Sequence, residues 1–348
     1  MNSHSPPNQN PEKSSACCAL KAGVLLTCAA LVATAIANAV IAWNAPPLGA
    51  RLNGGFNRVP LRHGDAAYFV SGSGSPILLL HAPRMGNSSS EWEENFDELA
   101  KHHTVYALDF LGWGLSDKPR HILRPSDYAE QIAHFIQDVI GEKSAVIASG
   151  QAGNFALLAS QKSPDLISKL VLVCPDSSDE WSSEYLETAH AQPENILAED
   201  SDERPERRNP VFRVLSLPII GEGISNWLTS RAQLQLFAKQ NLFFDKSRVS
   251  SGLVSRMHDA SHQPAAHGAL AAQTAGLLAT DWREAWSTLE SPALLIWGRN
   301  APSPGVETSP EWLAMNPGAR LEVFDNAMLL PHAEYSGKFN ARVLEWLD

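Results

Sequence analysis

The chain has 348 residues, of which 44% are hydrophobic and 19% charged, and a net charge of −11. That composition is ordinary for one or two globular domains with a sizeable core, and no Lys/Arg cluster stands apart from acids, which argues against nucleic acid as a partner. Of the four cysteines, Cys17, Cys18 and Cys28 lie near the N-terminus and only Cys174 in the body. The body can therefore form no internal disulfide, and no cysteine spacing is that of a metal site.

The first elements are a tail and an apolar segment. Residues 1–21 read as a disordered cytoplasmic tail, rich in Ser, Pro and Asn over its first part. Ala22 to Trp43 is a run of 22 residues without a charge. As a helix it would measure about 33 Å, enough for a hydrocarbon core of about 30 Å. It is expected to be a transmembrane helix over 22–43. Lys13 and Lys21 precede it and no basic residue follows until Arg51, a bias that places the N-terminus in the cytoplasm and the globular domain on the opposite side. Ala37-Asn38-Ala39 also has the form of a signal-peptide cleavage site, so a removed leader is the competing reading.

From residue 44 onward strands and helices alternate. Asp65–Val70, Ile77–Leu80 and the run Thr104–Asp109 read as strands. Trp92–Ala100 and Asp127–Ile140 have helical spacing. The runs "SAVIAS", "KLVLVCP" and "PALLIWG" are further apolar strands. Continuous apolar strands separated by helices predict a parallel sheet covered on both faces. Between about 177 and 290 the strands stop. A polar, charge-rich stretch, "EDSDERPERR", gives way to several helical segments, and this insertion is expected to form a helical cap.

Five motifs follow one another through the body. They are "PILLLHAPRMGNSSSEW", "VYALDFLGWGLSDKP", "AVIASGQAGNFALLAS", "ALLIWGRNAPSP" and "LLPHAEYSGKFNARVLEWL". In this order they resemble the α/β-hydrolase-fold superfamily, in its capped, membrane-anchored bacterial or cyanobacterial type. The resemblance covers residues 66–347. It implies an α/β fold with a mostly parallel, doubly wound sheet, an inserted helical cap and an N-terminal transmembrane helix. A fold of this kind hosts many functions, so function must be argued from the site.

The third motif resembles the nucleophile elbow, a tight turn between strand and helix that needs small residues around its tip. The pattern puts Gly150 at the nucleophile position, where no side chain can attack. A register shifted by one would make Ser149 the nucleophile. In the family one oxyanion donor is the N–H after the nucleophile, here Gln151. The second follows the strand-end pair His81-Ala82, where Pro83 has no N–H to give. The resemblance places the acid at Ala301, which is no acid; Asp176 and Glu307 are conceivable substitutes. His332 stands where the family keeps its base.

With nucleophile, acid and one oxyanion donor in doubt together, the sequence reads as a degenerate, hydrolase-like pseudoenzyme. It would bind a hydrophobic small molecule or a membrane protein partner at the lipid bilayer. The alternative is an active hydrolase, lyase or transferase on a lipid-like substrate, using His332 with Ser149 or a directly activated water. No cofactor and no metal are implied.

Overall fold

The computed structural model describes residues 11–176 and 209–348, with side chains from residue 27 onward. The eight strands are β1 (Gly55–Leu61), β2 (Gly64–Ser71), β3 (Pro76–Leu80), β4 (Thr104–Leu108), β5 (Ser144–Ser149), β6 (Ile167–Val173), β7 (Ala293–Gly298) and β8 (Arg320–Phe324). They form one sheet in the order β1-β2-β4-β3-β5-β6-β7-β8. β1 and β2 are antiparallel to their neighbours, and every pairing from β4 through β8 is parallel.

Strands β3, β5 and β7 are buried at every residue. They are central, and their unbroken apolar runs satisfy two covered faces at once. The edge strands β1 and β8 are mostly exposed or half-buried, and lack such runs. Helices α3 (Pro125–His134) and α4 (Ala152–Lys162) pack on each other and cover one part of the sheet. The helix expected over 92–100 is broken instead into a 3-10 turn, Ser89–Trp92, and a single turn, α2 (Phe96–Leu99). Beside the first of these turns the Asp109 Oδ1 accepts the Ser89 N–H at 2.6 Å and its Oδ2 the Leu115 N–H at 2.7 Å. This buried carboxylate ties the loop after β3 to the end of β4.

Between β6 and β7 the described residues are helical: α5 (Pro210–Leu215), α6 (Ile220–Leu228), α7 (Arg231–Phe237), α8 (Ser251–Ser261), α9 (His267–Thr274) and α10 (Arg283–Ser287). The first part of the expected cap, 177–208, lies outside the described residues. After β7 come α11 (Ser309–Met315), α12 (Pro331–Glu334) and α13 (Ser336–Leu347).

The N-terminal helix, α1 (Pro11–Asn44), reaches further back than the apolar run, so residues 11–21 are helical and not an irregular tail. Within it Thr27–Asn44 is long and apolar enough to cross a membrane. α1 packs against α6.

Candidate functional site

β5 ends at Ser149, and the chain turns at Gly150 with φ 55° into α4. The Gly150 N–H donates to the Val173 carbonyl at 2.8 Å, and its carbonyl accepts the Gly153 N–H at 3.0 Å. The left-handed conformation is open to glycine and strained for other L-residues. Among the described residues a Cβ at Gly150 would meet the Ala82 methyl, at 3.2 Å. Gln151, half-buried, stands at the N-cap position of α4 without a side-chain capping bond.

Ser149 is fully buried. Its Oγ lies near enough to the Glu91 carboxylate to favour the charged form, yet among the described residues it makes no hydrogen bond of good geometry, to His332 or any other.

His332 sits on α12, completely buried under the Trp92 ring, with centroids 4.4 Å apart. Its carbonyl accepts from Asn95 Nδ2 at 2.9 Å. Its Nδ1 has no hydrogen-bond partner among the described residues. This is the nitrogen that a triad acid would hold; among the described residues neither Asp176 nor Glu307 makes a hydrogen bond to it. The Asp176 carbonyl instead accepts from Asn154 Nδ2 at 2.9 Å. Ala301 is buried, with its N–H bonded to Gly298 O at 3.1 Å.

The other ring nitrogen has a charged neighbour that the motif reading did not include, at close range but without a hydrogen bond of good geometry. His332 Nε2 lies 3.2 Å from Glu91 Oε1, with both side chains fully buried. Glu91 Oε2 accepts the Ala82 N–H at 3.2 Å, pairs with Arg84 Nη2 at 3.0 Å, and accepts from Asn87 Nδ2. Ala82 therefore contributes a donor, but the donor is already engaged; Pro83 contributes none. The Glu91 carboxylate thus lies against both the His332 ring and the Ala82 N–H.

Burial alone would push the Glu91 carboxyl up. The Arg84 guanidinium, His332 and Ser149 beside it outweigh that and hold it well below the usual carboxylate range. Burial pushes the His332 imidazole down, and Glu91 restores only part of the fall. The cluster is therefore Arg84⁺, Glu91⁻ and neutral His332 at neutral pH. His81 is also buried and pushed down by desolvation. Its Nδ1 donates to Ala82 O at 3.1 Å and its Nε2 accepts the Phe110 N–H at 3.2 Å, so it orients the loop.

These shifts set an expected pH dependence. An imidazole kept neutral by folding protonates first in the unfolded chain, near pH 6.5. Its stabilising contribution is complete above that pH and is lost as pH falls through the lower folded value. Glu91, depressed in the folded state, adds a second loss that begins below about pH 4.3. We expect thermal melts to show Tm falling on acidification from about pH 6.5, with a shallower limb in His332→Gln. Equal slopes for parent and variant would contradict the neutral His332.

A cavity of about 230 Å³ adjoins the cluster. Arg84 and Glu91 form its inner wall, Phe243, Leu253 and Met257 its apolar side, and Arg256 another polar point. The lining carries both charged and apolar side chains.

Arg84 and Glu91 were legible only as two opposite charges in a loop. Nothing in their spacing announces that both point inward, because the fold of the loop around Asp109 decides it.

This sheet, elbow and histidine loop define the class. The chain belongs to the alpha/beta hydrolase family, whose model matches residues 77–342. It is similar to an uncharacterized protein of Mycobacterium tuberculosis, 26% identical over 298 residues, covering 81% of this chain and 78% of that one. A shorter stretch of 104 residues is 32% identical to the 1-acylglycerol-3-phosphate O-acyltransferase ABHD5 of Sus scrofa, covering 29% of each chain. Among solved structures it is similar to a membrane phospholipase A described as a bacterial virulence factor. The TM-score is 0.64 at 18% identity, with 97% of this chain and 96% of that one covered.

Proposed function

We propose that this protein is a membrane-anchored, non-hydrolytic member of the family that binds an amphipathic, lipid-like molecule in the cavity beneath its helical insertion. The observation that carries this reading is the conjunction at the elbow. Gly150 has no side chain to attack with, and the Glu91 carboxylate accepts the Ala82 N–H and lies 3.2 Å from His332 Nε2. Nucleophile, base and oxyanion hole act as a unit, so losing the first and filling the others leaves no route to an acyl-enzyme. The apolar and charged lining suits a ligand with an acyl chain and a polar head. The anchor reading draws support from the apolar N-terminal helix and from the likeness to a membrane phospholipase over nearly the whole chain. The N-terminus is placed in the cytoplasm by the lysine bias.

The test is a fluorophosphonate probe together with short p-nitrophenyl esters. The purified protein should not be labelled, and it should hydrolyse the esters no faster than His332→Ala does. Stoichiometric labelling of Ser149 would overturn the reading.

A further inference from the structure

The C-terminal half of α1 has two faces of opposite character. Thr34 and Asn38, one turn apart, face α6. Asn38 is buried; its Nδ2 donates to Ile219 O at 3.0 Å and its Oδ1 accepts from Asn226 Nδ2 at 3.0 Å. Gly223 lets the helices touch, because a Cβ there would lie 2.9 Å from Thr34 Cγ2. Ile219, which supplies the acceptor carbonyl, is held at φ 66°, a region that a β-branched residue enters only under constraint. A buried asparagine satisfied at both ends is a specified contact. The other face of α1 exposes Val32, Ile36, Val40 and Trp43 in one helical stripe. Beside the contact the insertion exposes Leu217, Ile220 and Trp227, the last 61% accessible.

The sequence sets the depth of this contact. Lys21 is the last charged residue before Arg51. At 1.5 Å per residue Asn38 lies about 25 Å beyond Lys21 and Trp43 about 33 Å beyond it, against a hydrocarbon core of about 30 Å. With Lys21 at one boundary, Trp43 reaches the headgroups of the other, where tryptophan is favoured. Asn38 then sits about 5 Å inside that boundary, and α6, clasped to it, shares the depth.

Resting on the membrane-anchored reading above, we propose that the α5–α6 corner is seated in the headgroup–acyl boundary of the bilayer that α1 crosses, with Leu217, Ile220 and Trp227 as the inserting side chains. Amphipathic surface helices bury their apolar face about 5–10 Å into this zone, which is the depth the clasp imposes. The surrounding solvent is lipid, so the exposed apolar side chains need no protein to cover them.

The experiment uses the full chain with Cys17, Cys18 and Cys28 replaced by serine; Cys174 is buried and is shielded from labelling. Single cysteines are introduced as Trp227→Cys on the corner, Val32→Cys in the span and Glu142→Cys, an exposed loop residue just before β5. Each is labelled with NBD and reconstituted into phosphatidylcholine vesicles whose lipids carry a nitroxide near the headgroup end of the acyl chain or, in a second preparation that reads position 32 at mid-bilayer, near its methyl end. The expected result is blue-shifted, quenched emission at positions 32 and 227 and unquenched emission at 142. Quenching at 32 with a water-like signal at 227 would overturn the corner's insertion and leave the anchor standing. Absence of quenching at both 32 and 227 would overturn the anchor and the insertion with it. A blue shift at 227 that persists without lipid quenching would show that a second copy or another protein covers the corner, and would equally reject the proposal.

Discussion

Glu91→Leu should lower the stability of the fold by about 3–5 kcal/mol, the usual cost of removing one partner from a buried ion pair. The guanidinium of Arg84 stays behind in the site, and the charge that balanced it is gone. In a chain of this size that corresponds to a fall in Tm on the order of 5–10 °C. Glu91→Gln should cost less, because an amide oxygen still accepts from the Ala82 N–H, although the charge of Arg84 is again unmatched. Arg84→Met combined with Glu91→Leu should recover much of the loss, since replacing both members of a buried pair with apolar groups is often close to neutral. The measurement is a double-mutant cycle from denaturant melts, whose coupling isolates the pair. A neutral Glu91→Leu, or a double variant no better than the sum of its singles, would mean that Glu91 is not held charged against Arg84.

Gly150→Ser should yield a folded protein with essentially no esterase activity. The backbone there is left-handed, which costs an L-residue roughly 1–2 kcal/mol. The new Cβ would also press on the Ala82 methyl, 3.2 Å away. The hydroxyl would find its base occupied, because His332 Nε2 faces Glu91 and Glu91 Oε2 takes the Ala82 N–H. Adding Ala301→Asp to supply an acid should still give little, for the same reason. Measurable hydrolysis and fluorophosphonate labelling are expected only when Glu91→Ala is added as well, which frees the base and a donor together. One oxyanion donor alone is typically worth about 100- to 1000-fold, and the parts act as a unit, so the gain should far exceed the product of the single steps. Ordinary esterase rates from Gly150→Ser alone would show the oxyanion site to be open and the reading of Glu91 to be wrong.

The sequence by itself determined the class of fold. β3, β5, β6 and β7 are apolar runs of strand length, and burial on both faces of a parallel sheet requires such runs, so they were legible without a structure. The edge strands β1 and β8 were not, because a strand exposed on one side carries no continuous signal. The turn at Gly150 was legible as well, being set by neighbours within a few residues: a strand end, small residues and a helix start. The apolar span of α1 needs only its own composition. Tertiary structure alone decided what fills the site. Glu91, Arg84 and His332 meet because β3, its following loop and α12 converge at one end of the sheet, and the charge of Glu91 is favourable only beside Arg84. The same holds for Asn38, a polar residue in an apolar helix whose partners on α6 lie far along the chain. Local patterns encode which backbone each segment prefers. Whether a buried charge or amide is tolerated depends on partners brought from elsewhere, and no short-range pattern records them.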